Sequence, residues 1–155
     1  MIQFYDTLHK EAYYRFLKQD NTSPSDCERQ SLFYLLSLMP ITRHNIHMLY
    51  DINHRSIIVD GLNASFQTSG AAALTKLAFT LYNGFKEMVY RDVDSSDLMI
   101  KSTHEQDNRL FFNHPMCLNE YQSFNLIDMF APIDRDLFPY LYDAINIRFC
   151  LTNGI

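Results

Sequence analysis

Residues 24–40, PSDCERQSLFYLLSLMP, decide how the rest of the chain is read. Ser23, Pro24, Ser25 and Asp26 have the form of a helix start: an N-cap hydroxyl, a first-turn proline, and an acidic N3 residue that reaches back to an orphan amide. Leu32, Phe33, Leu35, Leu36 and Met39 then supply an apolar face, and Pro40 cannot continue the ladder. The spacing predicts a helix over 24–39, with Leu36 fully buried in its densest apolar stretch.

Working outward, Leu8, Ala12, Phe16 and Leu17 recur at helical spacing behind a cap at Asp6 or Thr7, which predicts a helix to about Gln19 and a turn over 20–24. A third, shorter helix is expected from Thr42 to about Tyr50. Ile57, Ile58 and Val59, before Asp60 and Gly61, read as one short strand or an extended connector, whose hairpin partner would lie near Phe111 and Phe112. Ser69 caps a helix carrying Ala72, Ala73, Leu77, Phe79 and Leu81, closed by Asn83 and Gly84. Asp134 or Asp136 opens the last helix, with Leu137, Leu141, Ala144, Ile145 and Arg148 on successive turns and Pro139 within the first turn.

Four glycines and five prolines leave long unpunctuated segments, so helices are favoured over many short strands. Residues 91–120 are polar and irregular, with at most one short helix near Ser96–Lys101. The expected fold is mainly α: a single compact domain over residues 1–155, about five helices with at most a small β-hairpin, carrying a long loop or insertion at 86–122.

The chain has 155 residues, 47% hydrophobic and 20% charged, which suits one globular domain. Its net charge is -5, and the excess lies in residues 79–155, with six basic and eleven acidic side chains. No window clusters Lys and Arg, so a phosphate-tracking surface is disfavoured. Cys27, Cys117 and Cys150 form no CxxC and no close pair, which predicts free thiols in a reducing compartment. MIQFYDTLHK lacks the layout of a signal peptide, and the longest apolar run, Leu32 to Ile41, is too short to cross a bilayer. A cytoplasmic protein with no membrane partner is expected.

Four side chains suggest metal chemistry. His44, His47, Asp51 and His54 are spaced three, four and three apart, so a helix reaching His54 would place three imidazoles and a carboxylate on one stripe able to ligate zinc. DVDSSD at 92–97 resembles a calcium loop but has Asp97 where glycine is needed and Thr103 where a bidentate Glu belongs. GxSxG, Walker A and GxGxxG are absent, and no cofactor is expected.

Three stretches, QDNTSPSDCERQSLFYLLS (19–37), LTKLAFTLYNGF (74–85) and DMFAPIDRDLFPYLYDAINIRF (128–149), resemble a small uncharacterised family of helical proteins of Firmicutes, their phages and plasmids. The resemblance implies a compact helical fold and a mobile-element setting, with no assigned activity. Within it Asp20, Asn21, Asp26, Glu28 and Arg29 form a polar turn and helix start that could serve structure or a site.

The expected function is a non-enzymatic interaction or regulatory protein that binds another protein, as a phage or mobile-element factor inhibiting a host or defence system. Twenty-two Phe and Tyr residues without a Trp give a large aromatic supply. In the 86–122 excursion, Phe111, Phe112, Met116 and Tyr121 stand beside Asp92 and Asp94, the mixture of apolar anchor and acidic rim that interfaces use. The alternative from a different class is a small metal-dependent enzyme built on the His44, His47, Asp51 and His54 stripe.

Overall fold

A computed structural model describes residues 2–84, 88–92, 117–121 and 129–151. The chain divides into two compact units, Met1–Phe85 with Phe124–Ile155, and Lys86–Ser123. Among the described residues of the first unit there are five α-helices: α1 Thr7–Asp20, α2 Cys27–Leu38, α3 Pro40–His44, α4 Ser69–Asn83 and α5 Phe138–Arg148. The fold is mainly helical with small antiparallel sheets, as the sequence predicts.

Helix α2 is the axis of the first unit. All eight residues from Ser31 to Leu38 are buried, and α1, α3, α4 and α5 pack around it. A helix that is apolar on every side must be enclosed by other elements. Its two buried serines stay satisfied without a partner helix: the Ser31 hydroxyl donates to the Glu28 carbonyl at 2.9 Å, and the Ser37 hydroxyl to the Phe33 carbonyl at 2.6 Å.

The cap of α2 is Asp26, three residues later than the sequence suggests. Its carboxylate accepts from the Arg29 amide at 3.0 Å and from the Arg29 guanidinium at 2.7 Å, two bonds that a Ser23 hydroxyl could not make. At the other end Met39 is extended, and the last carbonyls are taken up by α3. The Thr42 hydroxyl donates to the Leu36 carbonyl at 2.9 Å, while buried Arg43 donates to those of Ser37 and Leu38 at 2.9 and 3.2 Å. Helix α1 begins under an Asp6 cap and ends at Asn21, whose φ of 52° closes the turn. Thr68, rather than Ser69, caps α4, and Gly84 at φ 70° ends it.

The expected helix from Thr42 to Tyr50 stops at His44. Asn45 donates to the Ile41 carbonyl at 2.8 Å and so competes with the ladder, a 3-10 turn follows over Ile46–Met48, and Tyr50 enters a strand. That strand, β1 Tyr50–Asp51, pairs antiparallel with β2 Ser56–Ile57, so the partner of the Ile57 strand lies just upstream rather than near Phe111 and Phe112. Gly61 lies against this turn: a Cβ there would sit 2.1 Å from the Met48 carbonyl oxygen, so only glycine fits. In α5 the buried set is Leu141, Ala144 and Ile147, with Leu137 just before it.

In the second unit the two ends of the span read as irregular, 91–92 and 117–120, are strand, while 93–116 lie outside the described residues. Strand β3 Met88–Asp92 pairs antiparallel with β4 Cys117–Tyr121, in register from Met88↔Tyr121 to Asp92↔Cys117. The expected short helix near Ser96–Lys101 lies outside the described residues.

One buried polar side chain makes stability pH-dependent. His9 is fully buried between α1 and α2; its Nδ1 accepts from the Tyr5 amide at 3.1 Å and its Nε2 donates to the Tyr34 carbonyl at 3.0 Å. Burial pushes its pKa down to about 4, aided by the charge of Arg43 and opposed by the Tyr34 bond. Above pH about 6.5 the ring is neutral in both states and contributes no pH dependence. As pH falls from there, the unfolded chain gains a proton that the folded chain refuses, so stability drops by about 3 kcal/mol by pH 4. Urea midpoints between pH 7 and 4.5 should show this fall in wild type and a much flatter profile in His9→Gln; parallel profiles would contradict it.

Candidate functional site

The four residues of the metal stripe do not converge. His44 ends α3 with Nδ1 2.7 Å from the Pro40 carbonyl, His47 is exposed in the 3-10 turn, and Asp51 and His54 sit in the β1–β2 hairpin. Asp51 Oδ1 accepts from the Asn53 and His54 amides, and its Oδ2 meets His54 Nδ1 at 2.7 Å, which holds the carboxyl below its usual range. The carboxylate that was to be a ligand organises a turn instead. Among the described residues no three His, Cys, Asp or Glu side chains gather to hold a metal ion.

The predicted recognition residues fall partly out of view. Phe111, Phe112, Met116 and Asp94 lie outside the described residues; Asp92 and Tyr121 stand at opposite ends of the β3–β4 ladder.

A second apolar row, missed in the sequence, is exposed on α5. Phe138 is 40% exposed, Tyr142 66% and Phe149 60%, with half-buried Ile145 between them and Leu151, 64% exposed, just beyond. Their spacing of four, three and four makes one stripe along the helix, opposed to the row that meets α2. The signal was present in FPYLYDAINIRF, which carries two apolar rows where a surface helix needs one.

The end of α1, the start of α2 and the β1–β2 hairpin form a polar clasp, and the end of α5 helps wall a groove beside it. Asp20 has no exposed side-chain surface, yet it is ionised. Its Oδ1 accepts from the Tyr50 hydroxyl at 2.8 Å and its Oδ2 from the Thr22 hydroxyl at 2.7 Å and the Arg55 guanidinium at 3.1 Å; Arg29 Nε lies 3.6 Å away. Burial opposes the charge, but Arg55 and the two hydroxyls more than offset it and hold the carboxyl below its usual range. Arg29 also stacks on Tyr82 at 5.5 Å. Asp20, Asp26 and Arg29, read as structural or a site, are thus the joint between α1, α2 and the hairpin.

Beside the clasp opens a groove of about 610 Å³, walled by Tyr13, Tyr14 and Leu17 of α1, by Ser23, and by Cys27 and Cys150. The two cysteines form a disulfide, with Cα atoms 6.5 Å apart, which corrects the expectation of free thiols. A separation of 123 residues concealed the pair, because only the antiparallel packing of α5 on α2 brings the end of one to the start of the other.

A family model described as a family of unknown function, DUF6075, matches residues 1–152. The chain belongs to that family. The match spans the whole DUF6075 fold described above, including both cysteines of the disulfide, the Asp20 clasp and the α5 row, and its bounds enclose residues 86–122. No curated protein and no solved structure matches the chain.

Proposed function

We propose that this DUF6075 protein is a non-enzymatic interaction protein that binds another protein through the exposed row on α5. The observation that carries this is the stripe of Phe138 and Tyr142 on α5 and Phe149 at its C-cap, large exposed rings beside a helix row anchored in the core by Leu141, Ala144 and Ile147. Aromatic side chains on a preorganised element give contact area at low entropic cost, and they dominate interface hot spots. Asp92, Asp94, Phe111, Phe112, Met116 and Tyr121 are proposed as a second contact region. The resemblance of residues 19–37, 74–85 and 128–149 to phage and plasmid proteins supports reading the partner as a host or defence component that this protein inhibits. The metal-dependent enzyme is not favoured, since His44, His47 and the Asp51–His54 pair lie on three different elements and do not gather to hold an ion.

A photo-crosslinking phenylalanine analogue placed at Tyr142, and in a control at exposed Lys18 on α1, tests this in host cells. One discrete adduct at 142 and none at 18 is the expected result. No adduct at either position, or the same adducts at both, would overturn the proposal.

A further inference from the structure

The Cys27–Cys150 bond faces the groove rather than the core: both residues line it, Cys27 is half-buried and Cys150 is exposed. We propose that this disulfide is a site of reversible thiol–disulfide exchange with low-molecular-weight thiols of the glutathione class, which reach it through the groove. The groove's volume of about 610 Å³ is that of a small-molecule site. Its tyrosine and leucine walls offer packing for a thiol's carbon skeleton, and the Ser23 and Ser25 hydroxyls, bonded to each other at 2.9 Å, put a polar edge on the groove.

Position also favours Cys27 as the departing sulfur. It is the first residue of α2, at the positive end of the helix dipole, which favours negative charge on a thiolate. The flanking carboxylates would oppose that charge, but each is held by an arginine: Asp26 Oδ2 by Arg29 Nη1 at 2.7 Å, and Glu28 Oε1 by Arg148 Nη2 at 2.7 Å. The same Arg148 ties α5 to α2 through Glu28 and donates to the Leu81 carbonyl of α4, so the helices stay joined when the covalent link opens.

The exchange runs in two displacements. A thiolate attacks Cys150 Sγ, the sulfur–sulfur bond breaks, and its electron pair leaves on Cys27 Sγ, which takes a proton from water. A second thiolate attacks the small-molecule sulfur of the resulting mixed disulfide and releases Cys150, which is protonated in turn. Two thiols are oxidised to one disulfide as the protein disulfide is reduced to two thiols.

The test uses the full chain carrying Cys117→Ser, so that the third thiol cannot shuffle. It is incubated with reduced glutathione at increasing sub-denaturing urea, and the freed thiols are trapped with a maleimide and assigned by mass spectrometry. Exchange through the groove predicts reduction of Cys27 and Cys150 at a rate that changes by less than about twofold up to the onset of unfolding. In Cys27→Ser, oxidised glutathione should leave one adduct, on Cys150. A rate that rises with urea in step with the unfolded fraction would overturn the proposal, as would two thiols that stay free in oxidised glutathione. Should Cys27→Ser fail to fold, the urea dependence of the parent chain still decides.

Discussion

Truncation of Leu36 to alanine is expected to lower the unfolding free energy by about 2–5 kcal/mol, a large share of the roughly 5–15 kcal/mol of a domain this size. Leu36 has no exposed surface and lies on the helix around which α1, α3, α4 and α5 assemble. The cavity therefore opens on the buried helix that the others pack against, in a close-packed core that relaxes only in part. Chemical denaturation should show a lowered midpoint with an unchanged slope. An unchanged midpoint would mean that α2 is not the centre of the core.

Asp20→Ala is expected to cost about 3 kcal/mol, near the lower end for breaking a buried ion pair. The Tyr50 and Thr22 hydroxyls lose their acceptor, and Arg29 and Arg55 lose a shared counter-charge, although Arg55, with 44% of its side chain exposed, regains water. Because the carboxyl ionises more readily folded than unfolded, its contribution is present above the ordinary Asp range and is lost as pH falls through it. Wild type and variant should thus differ at pH 7 and converge toward pH 2, as read by thermal or urea midpoints. A constant difference across that range would show that Asp20 acts by packing rather than by charge.

The long helices were legible because their apolar residues repeat at helical spacing and because Asn21, Gly84 and Pro139 punctuate them. Their first residues were less so. At α2 and α4 several hydroxyls and carboxylates compete for the same amides, and Asp26 and Thr68 prevailed by geometry that a string of letters does not contain. The β1–β2 hairpin was hidden for a different reason: a two-residue strand has no period, and Tyr50 is held by a hydroxyl bond to Asp20, thirty residues away. The histidine stripe assumed one helix through residue 54. The Asn45 side chain and the Asp51 turn broke it, so regular spacing did not become proximity. Cys27 and Cys150 illustrate the converse, since proximity arose with no local pattern at all.

The α5 row was legible in principle. FPYLYDAINIRF has apolar residues on two sides of one helix, and the face that meets α2 accounts for only one of them. Calorimetric titration of a captured partner with wild type and with the double variant Tyr142→Ala, Phe149→Ala tests the purpose of the other most directly. Both side chains are exposed, so thermal stability should move little, whereas binding should weaken by at least about thirtyfold, the roughly 2 kcal/mol of an interface hot spot. Equal affinity for wild type and a folded double variant would show that the partner docks elsewhere and would contradict the assignment of α5 as the recognition helix.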